Sequence, residues 1–197
     1  MTSPLDIGDI PAGQLRLAPL GPTDAEALRA VTSDPAVTAV IPFLPEPFGL
    51  EQAQALLDRQ KQGQDLYLGI RTNASDVVPG VPEGTLLGPG VPEGTLLGPG
   101  VPEGTLLGVV GVHLLGACEL EIGYWLPGRH HGLGIAGTAV PAVAAAYARA
   151  FPDRRLIAEC HPDNAASRRV LARAGFRPTG QAGERPGRER YRYAPER

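Results

Sequence analysis

The sequence predicts a mixed α/β domain in which helices are interleaved among the strands of one sheet. Short stretches of alternating or continuous apolar residues are typical of strands, and longer stretches with apolar residues every three to four positions are typical of helices. Along the chain these stretches follow the order β-α-α-β-β-β-α-β-α-β-β, which is less regular than a strict strand–helix alternation. The length of 197 residues, 43% of them apolar, suits one globular domain with a self-sufficient core.

The first strand and the first helix are predicted near the N-terminus. QLRLAP (14–19) alternates polar and apolar residues, which favours a strand. Thr23 and Glu26 then have the spacing of a capping box, which marks the start of a helix. The apolar residues that follow at helical spacing are Ala25, Leu28 and Val31.

A proline-rich loop and a second helix come next. IPFLPEPF (41–48) holds three prolines in eight residues, which predicts an extended loop because proline fixes φ and lacks an amide hydrogen. LEQAQALLDRQKQ (50–62) is predicted as an amphipathic helix ended by Gly63. DLYLGIRT (65–72) is predicted as a strand.

Three identical copies of the ten-residue unit PGVPEGTLLG occupy residues 79–108. Only the third copy runs directly into VVGVHLL, so TLLGVVGVHLL (105–115) is predicted as one strand. One copy is all that the fold requires. Residues 79–98 are therefore predicted to be an insertion in a hairpin connection, where loops tolerate extra length. A weaker alternative is that the proline-rich units bind a partner.

The C-terminal half holds the remaining elements. LEIGYWL (120–126) is predicted as a strand that leads through the glycine-rich PGRHHGLGIAG (127–137) into an alanine-rich helix. Pro141 is expected to kink that helix unless it lies in the first turn. The chain then closes with a strand at 154–160, a helix at 164–175, and two short strands, FRPTG and RERYRY.

Composition excludes several classes of protein. The net charge is −3, whereas nucleic-acid binders usually carry a basic stripe. The one Arg-rich stretch (185–197) is interpreted as a solvated last strand with a frayed end. Cys118 and Cys160 lack metal-ligand spacing, so two buried thiols and no metal are expected. With neither a signal peptide nor a long apolar run, the sequence predicts a cytoplasmic protein with no membrane or nucleic-acid partner.

The glycine-rich loop is the strongest indication of function. Glycines 132, 134 and 137 lie between a strand and a helix, where backbone N–H groups converge at the positive end of the helix dipole and leave room for a phosphate. Arg129 adds a cation, so the loop suits a pyrophosphate. It is not a Walker A loop, and it matches the Rossmann pattern poorly. The alternative is that the glycines only form a tight turn that lets the helix pack closely.

Three stretches together resemble the GNAT superfamily of acyl-CoA N-acyltransferases. Arg129-x-x-Gly132-x-Gly134 matches the pyrophosphate loop of that superfamily, and ELEIGYWLPG (119–128) looks like the strand before it. HPDNAASRRVLARAGF (161–176) is similar to a later helix of the family. The N-terminal stretch up to IPF is similar to the branch of ribosomal-protein N-terminal acetyltransferases that act on alanine and serine. The resemblance covers nearly the whole chain except about 79–98.

The resemblance implies a fold and a cosubstrate. It implies a single domain over 1–197, with a mixed, mostly antiparallel sheet that splays after its fourth strand and is flanked by helices. Acetyl-CoA would lie in the splay, with no metal. The residues implied to bind it, through backbone or side chain, are Trp125, Leu126, Arg129, Gly132, Leu133, Gly134, Ile135, Ala136, Gly137, Asn164 and Ser167. For Asn164 a plain helix N-cap is the alternative role.

The implied reaction is direct attack of a primary amine on the thioester. Glu121 is predicted as the general base, because it occupies the acid position in EIGYW and lies on the polar side of its strand. A structural glutamate is the alternative. Ser167 or Tyr124 is predicted to protonate the leaving thiolate. The other residues considered as the base are Glu119, His113 and His161; for His113 a buried core residue is the alternative.

The acceptor is less well defined than the donor. A protein N-terminal α-amine, as in a ribosomal protein, is the first prediction. A small amine such as an antibiotic, polyamine or amino acid is the second, and a non-catalytic acyl-CoA-binding module is the third. The loop at 41–48 is expected to meet the acceptor, since acceptor identity lies in loops. The resemblance also admits a homodimer.

Overall fold

The computed structural model describes residues 4–41, 43–73 and 102–195. Strands in these ranges form one sheet with the order β1-β2-β3-β4-β5-β6-β8-β7. The strands are β1 (Ile10–Ala12), β2 (Leu15–Pro19), β3 (Asp65–Thr72), β4 (Leu106–Leu115), β5 (Glu119–Trp125), β6 (Arg155–Cys160), β7 (Phe176–Ala182) and β8 (Glu189–Tyr193). The α-helices are α1 (Ala25–Thr32), α2 (Pro35–Thr38), α3 (Leu50–Arg59), α4 (Ile135–Ala150) and α5 (Ala165–Arg173).

The sheet opens between β5 and β6. These two strands are parallel and pair only where Glu119–Glu121 meet Arg155–Ile157, whereas the other neighbouring strands are antiparallel. From Ile122 onward β5 has no described partner on β6. The predicted splay is therefore confirmed. The splayed strand is fifth rather than fourth because the sequence pattern missed the three-residue β1.

Helices cover the two faces of the sheet and divide the core. Side chains of β3 alternate, so Leu66, Leu68 and Ile70 belong to the core beneath α4, while Tyr67 belongs to the core beneath α1 and α3. In α1 the predicted apolar face is confirmed, since Ala25, Leu28 and Val31 are buried. The two cores hold β3, β4 and β5 between them, and this fixes the edge of β5 that borders the opening.

Two helix starts differ from the sequence prediction. Before α1 the carboxylate of Asp24 accepts a hydrogen bond from Gly21 N at 2.8 Å, so the capping contact involves neither Thr23 nor Glu26. The short helix α2 was not predicted; Asp34 caps it by accepting a hydrogen bond from Ala36 N at 2.9 Å. Gly63 ends its helical segment with φ +73°, as predicted. Pro141 lies beyond the first turn of α4, and that helix continues to Ala150.

The end of the third copy of the repeat is part of the sheet. β4 starts at Leu106, one residue after the predicted start. The Thr72 hydroxyl at the end of β3 donates to Pro102 O at 2.7 Å and accepts from Thr105 N at 3.0 Å, which ties this copy to β3. The predicted insertion at 79–98 lies outside the described residues. β3 and β4 are antiparallel neighbours, so the repeat falls in the connection between them.

Several expected general properties can be compared with the structure. Cys160 is buried, but Cys118 is exposed, so the expectation of two buried thiols was wrong for Cys118; both are free. Across the described ranges, no cluster of three His, Cys, Asp or Glu side chains could hold a metal ion. No helix in those ranges combines the length and apolar character needed to cross a bilayer.

Candidate active site

The opening between β5 and β6 forms a cleft of about 1020 Å³. Its walls are the free end of β5, the N-terminus of α4, the first turns of α5 and the loop after α2. Most of the residues predicted to bind the donor or to act in catalysis line it. Those that do are Glu121, Tyr124, Trp125, Leu126, Gly132, Gly134, Ile135, Ala136, Gly137, Asn164 and Ser167.

The free end of β5 borders the cleft with its backbone. The Trp125 side chain points away into the core beneath α1, where its Nε1 donates to Thr32 Oγ1 at 3.0 Å. On the other side of β5, Gly108 of β4 has no Cβ, and one placed there would lie 2.7 Å from Trp125 O and 2.2 Å from the Leu126 side chain. Glycine at 108 therefore permits this close packing, and the β4–β5 ladder holds the two strands together. The other edge of β5 has no described partner on β6 beyond Glu121. Its backbone groups there are available to an extended ligand.

The glycine-rich loop has the backbone geometry expected for an anion site. Gly132 and Gly134 have φ of +76° and +78°, a region that favours glycine. The bond from Thr138 N to Gly134 O, at 3.0 Å, is the first of α4. The amides of Ile135, Ala136 and Gly137 precede it, so they stand free at the positive end of the helix. A Cβ on Gly132 would meet nothing within 4 Å, so there is open space at this position of the loop.

Two of the predicted donor-binding residues, Arg129 and Leu133, are not among the described residues that line the cleft. Arg129 is exposed in the 3₁₀ turn Gly128–His130 and is not among the described residues that line the cleft. Leu133 packs its side chain against the core beneath α4. The turn explains the position of Arg129. It directs His130 inward, where Nδ1 donates to Leu107 O at 2.6 Å, and thereby leaves Arg129 on the outside.

Two residues that the sequence analysis missed support the loop. Burial lowers the pKa of His130, so the ring stays neutral while it anchors the loop to a β-bulge in β4. Arg173, in the last turn of α5, places Nη1 3.3 Å from where a Cβ of Gly137 would lie. A guanidinium at the positive end of α4 is suited to share an anion with the helix amides. The sequence showed only a basic residue near a helix end and could not indicate its direction.

Tyr124, Asn164 and Ser167 come together at the centre of the cleft. Asn164 is the N-cap of α5, with Oδ1 accepting from Ser167 N at 2.9 Å, so the alternative role holds. The Tyr124 hydroxyl lies 2.8 Å from Ser167 Oγ. Burial raises the pKa of Tyr124 to about 12. This hydroxyl therefore keeps its proton across the neutral range, as a proton donor must.

Glu121 is part of a buried ion cluster, hereafter the carboxylate cluster, made of Glu121, Glu159 and Arg185. Arg185 Nη1 lies 2.5 Å from Glu121 Oε1 and 3.1 Å from Glu159 Oε2, and Nη2 lies 2.9 Å from Glu121 Oε2. The hydrogen bond to Glu121, with the charges of both carboxylates, raises the pKa of Arg185. Two carboxylates share one guanidinium, so the three side chains of the cluster together carry one net negative charge; Arg188 of the same β7–β8 connection also lines the cleft. The interpretation of 185–197 as a solvated strand was wrong for Arg185.

The other residues considered as the base occupy different places. His113 lines the cleft, and its Nδ1 lies 2.7 Å from Asp65 Oδ1. His161 also lines the cleft, with a side chain that is 55% exposed. Glu119 pairs with Arg190 at 2.5 Å on the outer part of the sheet and is not among the described residues of the cleft wall. Of the two histidines considered as the base, His113 is the enclosed one; His130 and His131 also line the cleft.

The loop after α2 closes one side of the cleft. Phe43 lines the cleft, and its ring lies edge-on to those of His113 and Trp125, with centroids 6.4 Å away in each case. Arg188 Nη2 donates to Val40 O at 2.7 Å, which joins this loop to the β7–β8 connection. The wall beside the carboxylate cluster is thus built from loops, where acceptor specificity is usually determined.

Comparison with known proteins places this geometry in a family. The model of the acetyltransferase (GNAT) domain matches residues 14–177. Over 56 residues the chain is 43% identical to the ribosomal-protein-serine acetyltransferase of Escherichia coli (strain K12), a match covering 28% of this chain and 31% of that protein. The matched segment thus spans about a third of the length of this curated relative.

Solved structures share the fold over nearly the whole chain. A GNAT-family acetyltransferase from Bacillus anthracis has a TM-score of 0.66 at 22% identity, covering 93% of this chain and 96% of that one. A ribosomal-protein-S5-alanine acetyltransferase from Vibrio fischeri has a TM-score of 0.68 at 16% identity, covering 94% and 95%. A ribosomal L7/L12 alpha-N-protein acetyltransferase, solved with coenzyme A, has a TM-score of 0.68 at 19% identity, covering 95% and 98%. At such identities these structures establish the fold alone, but the family model spans most of the chain, and the chain belongs to the GNAT acetyltransferase family.

Proposed function

We propose that the protein transfers an acetyl group from acetyl-CoA to the α-amine at the N-terminus of a protein, with a ribosomal protein as the first candidate. One observation carries this proposal. One end of the cleft, at the start of α4, is suited to an anion, and the other end holds the carboxylate cluster, in which two carboxylates share one guanidinium. A phosphorylated donor and a cationic amine would enter these two ends, and the open edge of β5 lies between them.

At the donor end, separate parts of the cleft would bind the pyrophosphate and the pantetheine of acetyl-CoA. The amides of Ile135, Ala136 and Gly137, together with Arg173, would hold the pyrophosphate. The extended pantetheine would run along the free edge of β5, beside the backbone of Tyr124–Leu126. Glycine at 132 keeps open the space that a side chain would fill. Arg129 is left out of this proposal because it lies outside the cleft.

The central residues support a proton donor for the leaving group. The acceptor nitrogen forms a bond to the thioester carbonyl carbon, the carbon–sulfur bond breaks, and the sulfur takes a proton. Tyr124 can supply that proton, because its hydroxyl is protonated at neutral pH and lies against Ser167 Oγ. Tyr124 recovers a proton from solvent through the open cleft. If the Tyr124→Phe variant catalysed acetyl transfer with the wild-type kcat, this role for Tyr124 would be wrong.

The acceptor end favours an amine that arrives as a cation. The net negative charge of the carboxylate cluster attracts an ammonium group, and low exposure strengthens that attraction, since the Glu121 and Glu159 side chains are 7% and 1% exposed. Relatives named as ribosomal-protein acetyltransferases support a protein acceptor over a small amine, and the ribosomal L7/L12 alpha-N-protein acetyltransferase supports an N-terminal amine. We place the reaction in the cytoplasm, where both substrates occur, and include a homodimer as the assembly to test.

Calorimetry and a thiol-release assay test the proposal together. Calorimetry should show one acetyl-CoA bound per chain. Thiol release should then be seen with peptides that begin with serine or alanine, and not with the same peptides carrying a blocked N-terminus. Release only with small amines would select the small-amine alternative. Binding without release from any amine would indicate a non-catalytic module, and absence of binding would overturn the proposed function.

A further inference from the structure

We propose that His113 is the general base of the acetyl transfer and that Asp65 is its positioning residue. The inference rests on the proposed function, because it assigns a residue to that reaction. It replaces the sequence-based choice of Glu121. The supporting residues lie on β3, β4 and β5 and in the loop after α2.

The Asp65–His113 pair is set by strand register. Asp65 and His113 are direct cross-strand partners in the β3–β4 ladder, and the Oδ1–Nδ1 distance is 2.7 Å. An ionised carboxylate accepts hydrogen bonds but cannot donate them. Nδ1 therefore carries the proton, and Nε2 keeps its lone pair. The hydrogen bond from His113 lowers the pKa of Asp65 and keeps its carboxylate ionised. The ring is thereby held in the tautomer that can take up a proton at Nε2.

Nε2 lies beside two residues that have no side chain. Gly111 and Gly123 are register partners on β4 and β5. A Cβ on Gly111 would lie 2.8 Å from Nε2, and one on Gly123 would lie 3.9 Å from it. Gly123 belongs to the part of β5 that has separated from β6, where the cleft opens. Nε2 therefore lies beside the place where an amine would meet a thioester held along β5.

The surroundings hold the pair rigidly. The charged and titratable groups around the ring are Asp65 and Tyr67 on β3, Glu121 on β5, Arg59 on α3 and Arg185 of the β7–β8 connection. Arg59 lies 3.3 Å from Asp65 Oδ2 and over the Phe43 ring, 5.9 Å from its centroid. The Asp65 and His113 side chains are 13% and 15% exposed. A base of this kind is enclosed but reaches solvent through the cleft, to which it returns its proton.

Glu121 is less suited to the same task. Both of its oxygens face Arg185, so neither is free to take a proton from an amine without breaking the ion pair. Its place beside His113 in the β4–β5 ladder instead puts negative charge next to the imidazole. We assign to Glu121 the attraction of the ammonium group. His113 Nε2 takes the proton that the nitrogen loses as the new bond to carbon forms.

Steady-state kinetics as a function of pH test this assignment, with acetyl-CoA and a peptide that begins with serine. His113→Asn keeps a donor for Asp65 but has no group that can accept a proton. We expect kcat/KM to fall by about 10² to 10⁴-fold, the acidic limb of its pH profile to disappear, and acetyl-CoA affinity by calorimetry to stay unchanged. Asp65→Asn should lower kcat/KM less, because it disturbs only the tautomer. Gly123→Ala should raise the KM for the peptide, since its Cβ would occupy the space before Nε2.

Glu121→Gln is the matched comparison, because its side chain has nearly the same size. It should keep the acidic limb. An acidic limb that persists in His113→Asn and is lost in Glu121→Gln would overturn the inference, as would a His113→Asn rate within about threefold of wild type. Both results require an active wild-type protein and would leave the proposed function intact. A wild-type protein that binds acetyl-CoA but acetylates no amine would overturn the proposed function and this inference with it.

Discussion

At the proposed donor end of the cleft the groups offered to a ligand are consecutive backbone amides, whereas at the proposed acceptor end they are side chains far apart in the sequence. The donor end is the loop and helix start over 132–137, with one distant cation, Arg173. At the acceptor end Arg185 meets Glu121 across 64 positions, and His113 meets Asp65 across 48. A site made of backbone tolerates changes of most side chains. A site made of ion pairs depends on each partner, because an unpaired buried charge is costly.

The largest effect is expected where the acceptor end loses a buried charge. Glu159 accepts hydrogen bonds from Glu184 N at 2.6 Å and Arg185 N at 3.3 Å in addition to its ion pair, and its side chain is 1% exposed. Glu159→Ala should lower the free energy of unfolding by about 3 kcal/mol. Urea denaturation measures this loss. Glu184→Ala, at an exposed residue of the same connection, is the control and should be within about 0.5 kcal/mol of wild type.

Two glycine substitutions should distinguish backbone strain from a loss of acetyl-CoA binding at the donor end. Gly132→Ala and Gly63→Ala both place a Cβ at positive φ in open space, so each should lower stability by about 1 kcal/mol. Only Gly132→Ala is expected to weaken acetyl-CoA binding, by about tenfold or 1.4 kcal/mol. Calorimetry on both variants makes the comparison. Equal acetyl-CoA affinities in the two would mean that the Gly132 loop does not hold the donor.

A smaller effect is expected from two arginines: Arg129, predicted from the sequence to lie near the phosphates, and Arg173, which the structure places at the start of α4. Arg173→Gln should weaken acetyl-CoA binding by about 1 kcal/mol, because Arg173 is exposed and its attraction to the anion is screened. Arg129→Gln should leave the affinity unchanged, since that side chain lies outside the cleft. Titrations at low and high salt should show a salt-dependent difference for Arg173 only. The reverse pattern would restore the sequence-based choice of Arg129.

The smallest effect concerns acid stability at the acceptor end. Asp65 has a folded-state pKa below 3.8, first because of its hydrogen bond with His113. A depressed carboxyl pKa contributes stability that is fully present above the unfolded value and is lost as the pH falls through the folded one. The stability difference between wild type and Asp65→Asn should therefore narrow below about pH 4. Urea denaturation at several pH values measures it. A difference that stays constant down to pH 2 would contradict the prediction.

The elements that the sequence predicted well share one property: their signals are short-range. The strand at 65–72 and the helix with N-cap Asn164 were predicted within a residue or two, because alternation and capping are local. The three-residue β1 and the four-residue α2 were missed because neither is long enough to show a period. The capping partner Asp24 was missed because Thr23 and Glu26 fit the same pattern. Local rules identify an element more reliably than the residue that starts it.

By itself, the sequence determined the order of the main elements, the glycines of the donor loop and the family. These depend on conformational preferences within about ten residues, such as positive φ at Gly132 and Gly134. Only the tertiary structure decided which side chains reach the cleft. A turn directs Arg129 outward, α5 brings in Arg173, the β7–β8 connection supplies Arg185, and β3–β4 register pairs Asp65 with His113. The physical reason is that a side chain's direction depends on register and packing between distant segments, which no local pattern specifies.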